Sequence, residues 1–562
     1  MICDEAEGRF YLRSLRLIGL FRSSSFGIKA GRKAAWRLDS ALVLLTPVRL
    51  HSLRVGEALI LAGTMLFYLV LFAVIGYFYY HLHHKRRNLP PGPTPLPVLG
   101  NLLDVIRDPP GEGPYRRWKE QYGAVSTYWM GATPIVSIGD YQTIMETFQK
   151  DGETYAGRFA FKEFDVLVRG GDYGVIFTEG DMWREQRRFA LQVLRDFGLG
   201  KNLMQERVLD EVSAFIQQID EDAAAGVKEH PLPEHVDLAI GSIINALLFG
   251  YGFRGEKRAE FFDLKQRVAL HVKMLGHPLT LVAMPNPRLF LKLPFIGRYV
   301  QSAVDTGNYL LKFYRDRIHD HEQTLDENEP PSDFVHAFLQ EWRKRDRAGE
   351  VHFFSHDQLV SMLYDMWLAG QETTSNTLAW GFAYLIHCPE IQKKCHEELD
   401  AVVGSDRLVT MSDKPNLPYC NAVINEVQRI ANLVPQNVWH KTTKDTTING
   451  HFIRKGTAIL PQISIILSDP KVYEGPLRFD PNRFLDANGK LKKADELIPF
   501  SVGKRACLGE GLARMELFLF TVNTLNRYTL SAGKKLPNLQ RKFGGTVNID
   551  PFECRMERRV HS

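Results

Sequence analysis

Cys507 is the residue whose surroundings most suit chemistry, and it lies in the segment PFSVGKRACLGEG, Pro499 to Gly511. Apolar residues recur at helical spacing after it, from Leu508 to Val522, which predicts that Cys507 stands at the N-terminus of a helix. The helix dipole and the free backbone N–H groups at such a position favour a thiolate over a thiol. The pattern therefore indicates a metal ligand or a nucleophile.

The residues around Cys507 argue against a merely buried cysteine. Gly503 permits the tight loop that turns the sulfur outward, Gly509 leaves room for a flat and bulky group near the backbone, and Arg505 adds a fixed positive charge. Ordinary composition would produce F-x-x-G-x-R-x-C-x-G by chance in roughly one chain in ten thousand. Zinc is a poor alternative, because no other Cys or His occurs from 467 to 547. A cysteine nucleophile would need a distant histidine brought near by folding.

Composition and charge limit the classes of function. The chain of 562 residues is 44% hydrophobic and 24% charged, as in a globular protein, and its length alone suggests about two to four domains. Residues 1–54 contain ten Lys or Arg and four Asp or Glu, so the rest of the chain is close to neutral despite the net charge of +5. No basic stripe is left to hold a phosphate backbone, so we predict no nucleic-acid partner. The six cysteines contain no CxxC pair, which favours a reducing compartment.

An uncharged apolar segment, Ala58 to Tyr80, is long enough as a helix to cross a bilayer. The basic stretch HLHHKRRN and the stiff, proline-rich LPPGPTPLPVLGN follow it. We therefore predict a single transmembrane anchor over 58–82, a proline-rich connector over 83–100 and a folded body over 101–562. A buried core helix is the alternative for the apolar segment.

Residues 1–57 form a basic N-terminal extension with two competing interpretations. An Arg-rich, Ser-containing segment that is poor in acids is typical of a mitochondrial targeting sequence. A start at Met65 would instead leave a short uncharged anchor with a basic flank on the body side only. We hypothesise that residues 1–64 are an alternative or mis-assigned start, which a mass determination of the native N-terminus would test.

The elements that must position Cys507 are mostly helical. Long helical periodicities dominate after the connector, with short strand-like pieces at Pro134 to Asp140 and Thr446 to Leu460. Val360 to His387 predicts one long buried helix whose middle, Gly370 to Thr377, is polar. Buried polar groups need hydrogen-bond partners or a functional role, and Ser or Thr side chains often donate a hydrogen bond to a carbonyl of their own helix. The predicted fold class is mainly α with a small β portion.

The segment FSVGKRACLG resembles the haem-thiolate loop of the cytochrome P450 superfamily. The resemblance implies that Cys507 is the axial iron ligand, that Arg505 meets a haem propionate, and that Gly503 and Gly509 lie beside the cofactor, haem b. Thiolate ligation has a chemical purpose, because it pushes electron density onto the iron and favours cleavage of the O–O bond.

Other segments resemble motifs of the same family in the expected order. Within the long helix, AGQET matches A-G-x-[DE]-T, which implies that Glu372 and Thr373 relay protons to the oxygen site and that Ala369 and Gly370 leave space there. The propionate contacts implied by W-x-x-x-R and by WHKTTKD are Trp183, Arg187 and His440. The structural charge network implied by ExxR and FDPNRF consists of Glu426, Arg429 and Arg483.

The resemblance covers roughly Leu89 to Val560 and extends to the microsomal branch that metabolises drugs, steroids and fatty acids. It implies one large helical domain, in place of several, and a monooxygenase that inserts one oxygen atom of dioxygen into an apolar substrate. Electrons would come from NADPH through NADPH-cytochrome reductase, with cytochrome b5 as a further candidate partner. The implied location is the endoplasmic reticulum membrane with a cytosolic catalytic domain, and the alternative is a mitochondrial protein supplied by a ferredoxin.

Substrate recognition and two alternative functions complete the expectations. By resemblance, the substrate contacts are Tyr155 to Gly170, Trp367, Leu368, Leu433 to Val438, and the turn around Gly545. A haem-thiolate isomerase or dehydratase would keep Cys507 without needing Glu372 and Thr373. A non-catalytic haem or sterol binder would show ligand-induced spectral shifts without turnover.

Overall fold

The computed structural model describes residues 55–198, 202–542 and 544–560. The expectations for the basic extension, including its targeting role, therefore lie outside the described residues as far as position 54. The chain divides into one unit that ends at Ile75 and another that begins at Gly76, and the described part of the first is a single helix.

Helices make up most of the described chain, as the fold class predicts. In chain order the α-helices are α1 Val55–Leu82, α2 Leu102–Ile106, α3 Glu112–Tyr122, α4 Tyr141–Ile144, α5 Lys162–Arg169, α6 Gly180–Asp196, α7 Asn202–Ala224, α8 Leu232–Phe249, α9 Lys257–Leu275, α10 Pro278–Ala283, α11 Pro287–Phe290, α12 Ile296–Thr324, α13 Phe334–Ala348, α14 His356–His387, α15 Pro389–Val402, α16 Pro418–Ala431, α17 Ile463–Ile466 and α18 Glu510–Arg527. A π-helical turn, Met145–Lys150, continues α4, and a 3-10 turn, Gly503–Arg505, precedes Cys507.

The strands are short and form a small β portion. They are β1 Val125–Met130, β2 Thr133–Ile138, β3 Gly157–Arg158, β4 His440–Lys441, β5 Thr446–Ile448, β6 His451–Ile453, β7 Ala458–Pro461, β8 Tyr528–Ala532 and β9 Cys554–Arg558. One sheet has the order β1-β2-β7-β4-β3, and the pairs β5-β6 and β8-β9 form two smaller sheets. The predicted strand segment from Thr446 to Leu460 is thus three strands shared between two sheets. The fold class, mainly α with a small β portion, is confirmed.

Two segments of the described chain are long and apolar enough to cross a membrane, Leu61–Arg86 and Leu232–Phe249. The second is 67% buried, so packing in the protein core accounts for its apolar character. The first is not buried, and the side chains from Leu61 to Tyr80 are exposed. Helix α1 is therefore compatible with anchoring in a membrane, and it begins at Val55, ahead of the predicted boundary at 58.

Helix α14 is the central element of the larger unit. It begins after Ser355, whose hydroxyl accepts a hydrogen bond from the N–H of Gln358 and so caps the helix. It packs against α8, α12, α16 and α18, and both of its ends are buried. Helix α18, which follows Cys507, is thereby held against the helix that carries the predicted proton relay.

Candidate active site

The loop that carries Cys507 is fixed by a glycine that no other residue can replace without strain. Gly503 has φ +77°, and a Cβ placed on it would lie 1.8 Å from the carbonyl oxygen of Phe148. Its N–H donates to the side-chain oxygen of Gln149 at 2.8 Å, and the N–H of Cys507 donates to the carbonyl of Phe500 at 2.9 Å. The loop is therefore locked against the π-helical turn, just before α18 begins.

The sulfur of Cys507 faces an internal space. The side chain is exposed, yet burial among the surrounding protein raises the pKa of its thiol, against the opposing effect of the Gly509 N–H and the nearby Arg187. An exposed group with so much protein around it lies on a cavity wall. The Gly509 N–H at the helix terminus acts in the predicted direction, but desolvation of the thiolate outweighs it, so a metal ion would have to displace the proton.

Gly509 borders the same open space. A Cβ added to it would meet no protein atom within 4 Å, in contrast to Gly503. The residue is the N-cap of α18 and has an ordinary φ of −92°, so its backbone does not require glycine. A flat group has room to lie against this position, as the sequence suggested.

Three arginines form a buried cationic cluster beside the loop. Arg505 donates to the carbonyl oxygens of Ala156 at 2.7 Å and Thr178 at 2.6 Å, and Arg187 donates to that of Ala506 at 2.6 Å. Burial first, and then repulsion from Arg158 and Arg187, lowers the pKa of Arg505 to about 8. We name Arg158, Arg187 and Arg505 the arginine cluster.

Arg158 belongs to this cluster although sequence reasoning did not single it out. Its side chain donates to the carbonyls of Ile176 at 3.0 Å and Val438 at 3.1 Å, and burial followed by repulsion from Arg187 lowers its pKa to about 9. The available signal was a lone arginine in the otherwise small and aromatic stretch YAGRFAF. Its role depends on the pairing of β3 with β4, which local spacing in the sequence does not indicate.

Two buried donors beside the cysteine loop, one from the arginine cluster and one from Trp183, have no hydrogen-bond partner within the described residues. The guanidinium of Arg505 stacks on the ring of Trp183, with 3.6 Å from its carbon to the ring centroid. Arg505 Nη1 and Trp183 Nε1 are both buried and have no hydrogen-bond partner there. Buried donors are nearly always paired, so these two indicate an acceptor supplied by a ligand, and the local charge favours an anion.

His440 joins the cluster through the five-stranded sheet. It lies in β4 directly opposite Arg158 of β3, so both side chains project from the same face. Its Nδ1 lies 2.8 Å from the carbonyl of Tyr155, and burial, followed by repulsion from Arg158, holds the pKa of His440 well below its usual value. The imidazole is therefore neutral and donates through Nδ1.

The middle of α14 presents one exposed face in an otherwise buried helix. Ala369 is exposed, and the hydroxyl of Thr373, one turn later, donates to the carbonyl of Ala369 at 2.8 Å. This back-bonding satisfies the hydroxyl proton and leaves the oxygen of Thr373 free to accept from another donor. Ala369 and Thr373 together line an opening beside the helix.

Gly370 and Glu372 point elsewhere than the motif implied. A Cβ on Gly370 would lie 2.6 Å from Cδ1 of Ile244, so this glycine permits close packing of α14 on α8. The buried carboxylate of Glu372 lies 2.6 Å from Nζ of Lys265, which also lies 3.2 Å from Asp237. The structure thus assigns Gly370 to helix packing and Glu372 to an ion pair with α9.

The predicted structural network is assembled and closed. Glu426 accepts from Arg429 at 2.7 and 2.8 Å and from Arg483 at 3.2 Å. The remaining Arg429 nitrogen donates to the carbonyl of Leu467 at 2.9 Å, and the N–H of Asp480 donates to Glu426 at 2.9 Å. We name Glu426, Arg429 and Arg483 the closed network.

The predicted substrate segments have mixed surroundings. Trp367 is fully buried and Leu368 half-buried on α14. Phe159 and Phe161 make edge contacts with each other and approach the ring of Trp439, with centroids 5.6 to 6.1 Å apart. The aromatic character of the first segment therefore serves packing at these positions.

Comparison with known proteins shows the family. A family model described as "Cytochrome P450" matches residues 90–556. Cytochrome P450 2C16 of Oryctolagus cuniculus is 35% identical over 83% of this chain and 93% of its own length. Cytochrome P450 2H1 of Gallus gallus is 35% identical over 80% of this chain and 89% of its own length. Cytochrome P450 2C8 of Homo sapiens is 34% identical over 83% of this chain and 93% of its own length.

The fold and the cysteine loop define a haem-thiolate protein. The chain belongs to the cytochrome P450 family, whose members are haem-dependent monooxygenases.

The residues present fit haem. Its two propionate carboxylates match the arginine cluster and the two donors without partners, and its flat ring suits the open space beside Gly509. Its iron requires an axial ligand, for which Cys507 is the sulfur that faces the cavity.

Proposed function

We propose that this chain is a membrane-anchored monooxygenase that oxidises apolar organic substrates, namely xenobiotics, steroids or fatty acids, at haem held by Cys507. Bound haem supplies the redox chemistry that activates dioxygen and transfers one oxygen atom to the substrate, while the other leaves as water. The observation that carries the proposal is the combination of a cavity-facing cysteine with two buried donors, Arg505 Nη1 and Trp183 Nε1, that have no partner within the described residues.

Binding and orientation of the cofactor are assigned to two groups of residues. Cys507 holds the metal, and Gly503 fixes the loop that presents it. The donors to the propionates are Arg158, Trp183, Arg187 and Arg505. His440 already donates through Nδ1 to the carbonyl of Tyr155, so it would donate to a propionate only through Nε2 and only after that nitrogen takes up a proton. The closed network holds α16 and the preceding loops in place, and we assign it no contact with the cofactor.

Proton delivery is assigned to Thr373 and Glu372, with one step that the ion pair imposes. Thr373 faces the opening with its hydroxyl oxygen free to accept a hydrogen bond, whereas Glu372 is held by Lys265 at 2.6 Å. Glu372 must exchange this ion pair for a water or a hydroxyl before it passes a proton to the opening. Lys265 and Asp237 therefore set how readily the carboxylate turns.

The partners and the location follow from the family and from α1. Family membership implies an electron-donating redox partner. We propose that NADPH supplies the electrons through NADPH-cytochrome reductase, with cytochrome b5 as a second donor. We also propose that α1 anchors the chain in the endoplasmic reticulum membrane with the catalytic domain in the cytosol. The mitochondrial alternative rests on the basic composition of residues 1–54.

Replacement of the sulfur is the direct test. In Cys507→Ala we expect loss of the red-shifted Soret band of the ferrous carbon monoxide adduct and loss of turnover, because no thiolate remains to hold the metal. Cys388→Ala is the matched control, since Cys388 is a half-buried free cysteine at the end of α14. A red-shifted band that survives in Cys507→Ala would remove this residue from the iron.

Turnover distinguishes an enzyme from a binder. The full chain, reconstituted with a microsomal reductase, NADPH and a panel of apolar compounds, should yield products heavier by one oxygen atom. Mass spectrometry would detect them, and omission of NADPH is the control. Spectral shifts on ligand addition without NADPH-dependent products would favour the non-catalytic alternative.

A further inference from the structure

Three metal-ligating side chains meet where α7 ends and α8 begins. Asp222 lies in the last turn of α7, His235 in the first turn of α8, and His230 in the loop between them. One side-chain nitrogen or oxygen of each lies within 4.8 Å of the other two. The oxygen Oδ2 of Asp222 is 3.9 Å from Nδ1 of His230 and 3.7 Å from Nε2 of His235. None of these residues belongs to the haem site.

The three potential ligand atoms lie close together, but the carboxylate of Asp222 does not hydrogen-bond to either imidazole. The separations are too long for hydrogen bonds, and Nδ1 of His230 and Nε2 of His235 are buried without a partner within the described residues. His230 is only 1% exposed, so water does not readily compensate it. Buried polar atoms are rarely left in this way unless an ion or a ligand completes them.

The second oxygen of Asp222 and the backbone of His230 are held in place. The amide nitrogen of Gln218 donates to Oδ1 of Asp222 at 2.8 Å, and the amide oxygen of Gln218 accepts from Arg258 at 2.6 Å. This arrangement leaves Oδ2 for the histidines. His230 exchanges two backbone hydrogen bonds with Cys554 at the start of β9, at 2.8 and 3.0 Å. Such outer contacts orient metal ligands.

The donor set and the spacing suit zinc. In a tetrahedral site with bonds of about 2.0 to 2.2 Å, neighbouring ligand atoms lie about 3.3 to 3.6 Å apart. The two carboxylate–imidazole separations of 3.9 and 3.7 Å therefore need to shrink by only a few tenths of an ångström. A cavity of about 200 Å³, lined by His235, Gln218 and Arg258, gives access from one side.

We propose that Asp222, His230 and His235 form a zinc site, with water as the fourth ligand, that ties the end of α7 to the start of α8 and to β9. The site is structural, because its ligands come from two helix ends and a loop that is itself paired with the C-terminal strand. It is independent of haem.

Zinc content and coordination test the site in the full-length, tag-free haem protein. After dialysis against micromolar free Zn²⁺ and gel filtration, we expect one bound zinc per chain by elemental mass spectrometry. Zinc K-edge absorption, which is read separately from the haem iron, should show two imidazole nitrogens and oxygen ligands. Asp222→Asn and His235→Gln should each lose the metal. His319→Gln, which changes an exposed histidine on α12, is the matched control and should retain it.

A milder variant tests the proposal even if substitution of a metal ligand prevents the chain from folding. Gln218→Met retains all three ligands but releases Oδ1 of Asp222, and should weaken zinc binding roughly 10- to 100-fold. The ferrous carbon monoxide band of each variant reports an intact haem domain. The proposal is overturned if the wild-type chain retains no zinc, or if zinc content and affinity are the same in the wild type, Asp222→Asn and Gln218→Met.

Discussion

The arginine cluster and the closed network are both groups of guanidinium ions inside the protein, but only the closed network contains a carboxylate of the chain itself. In the closed network, Glu426 lies between Arg429 and Arg483, and every polar atom of the three side chains has a partner. The side chains of the arginine cluster donate only to backbone carbonyls among the described residues, and none of them forms an ion pair there.

This difference separates structure from ligand binding. Removing a charge from water costs several kcal/mol, and the cost is recovered only by a well-placed opposite charge. The closed network shares one carboxylate of the chain between its two arginines, whereas the three guanidinium ions of the arginine cluster have no carboxylate partner among the described residues. A buried cationic group that lacks its counter-charge is therefore a stronger sign of an anionic ligand than a motif that merely contains an arginine.

Glu516 on α18 shows a third outcome. It is 1% exposed, has no basic partner in the described part of the chain, and burial raises its pKa to about 8 despite a hydrogen bond with Thr374. A carboxyl group can escape its desolvation cost by taking up a proton, but a guanidinium cannot escape by losing one at neutral pH. Of these two kinds of buried group, only the arginines therefore need the negative charge of a ligand.

The largest effect is expected from breaking the closed network. Glu426→Ala leaves two buried guanidinium ions without their carboxylate, and should lower the free energy of unfolding by about 3 to 5 kcal/mol. Denaturant unfolding of the purified chain would measure it. Glu426→Gln, which keeps the acceptor for the N–H of Asp480, should lose less. Equal stability of Glu426→Ala and the wild type would show that the network is dispensable.

A pH-dependent effect is expected at Glu516. Because its pKa is raised in the folded chain, the unfolded chain releases the proton first as the pH rises, and stability falls between the ordinary value of 4.5 and about 8. Between pH 5 and 7 this contribution amounts to about 3 kcal/mol. Glu516→Gln removes this pH-dependent loss, so the unfolding free energy of the variant should rise relative to that of the wild type by the same amount between pH 5 and 7. Parallel stability curves for the two proteins would mean that Glu516 does not titrate in the folded chain.

The arginine cluster should respond in the opposite sense to the closed network. Arg505→Met removes a charge that its neighbours repel, which offsets part of the cost of losing its hydrogen bonds to Ala156 and Thr178, so unfolding stability should fall less than in Glu426→Ala. A charged hydrogen bond to a propionate is lost as well. Because such a bond contributes about 1.5 to 3 kcal/mol, haem should transfer to an acceptor globin roughly 10 to 100 times more completely at equilibrium.

Arg483→Met is the matched control from the closed network. It should lower unfolding stability while leaving intrinsic haem affinity close to that of the wild type. If Arg505→Met retained haem as tightly as the wild type, the cluster would not be the anion site.

The sequence was sufficient to find most members of the site but not the directions in which they point. The cysteine loop stands out by its own spacing, whereas Trp183 and the closed network follow from the resemblance to family motifs, and the structure brings the network together at hydrogen-bond distances. Arg158 was missed because it meets His440 only through the pairing of β3 with β4, which lie far apart in the chain.

Burial explains the other differences. Gly370 was expected to leave space for dioxygen, but the face of α14 on which it lies packs against Ile244 of α8. Glu372 finds Lys265 only because α9 lies beside α14. Desolvation, the main cause of the raised pKa of Cys507, depends on everything that surrounds the sulfur, whereas the opposing effect of the helix terminus follows from the local sequence.

The smallest expected effect, on haem affinity, comes from a comparison of the two glycines of the cysteine loop. At Gly503, Ala would combine a positive φ with a contact of 1.8 Å to the carbonyl of Phe148, so Gly503→Ala should disrupt the loop itself. At Gly509, serine is a preferred N-cap and its side chain would enter open space, so Gly509→Ser should fold at least as well as the wild type.

Only a group that lies flat against Gly509 would then feel the added atoms, and haem affinity should fall by a few-fold at most while unfolding stability is retained. Haem transfer to an acceptor globin and denaturant unfolding of the same sample measure the two quantities separately. Unchanged haem affinity in Gly509→Ser would show that the cofactor does not approach this stretch of backbone, and the open space there would need another occupant.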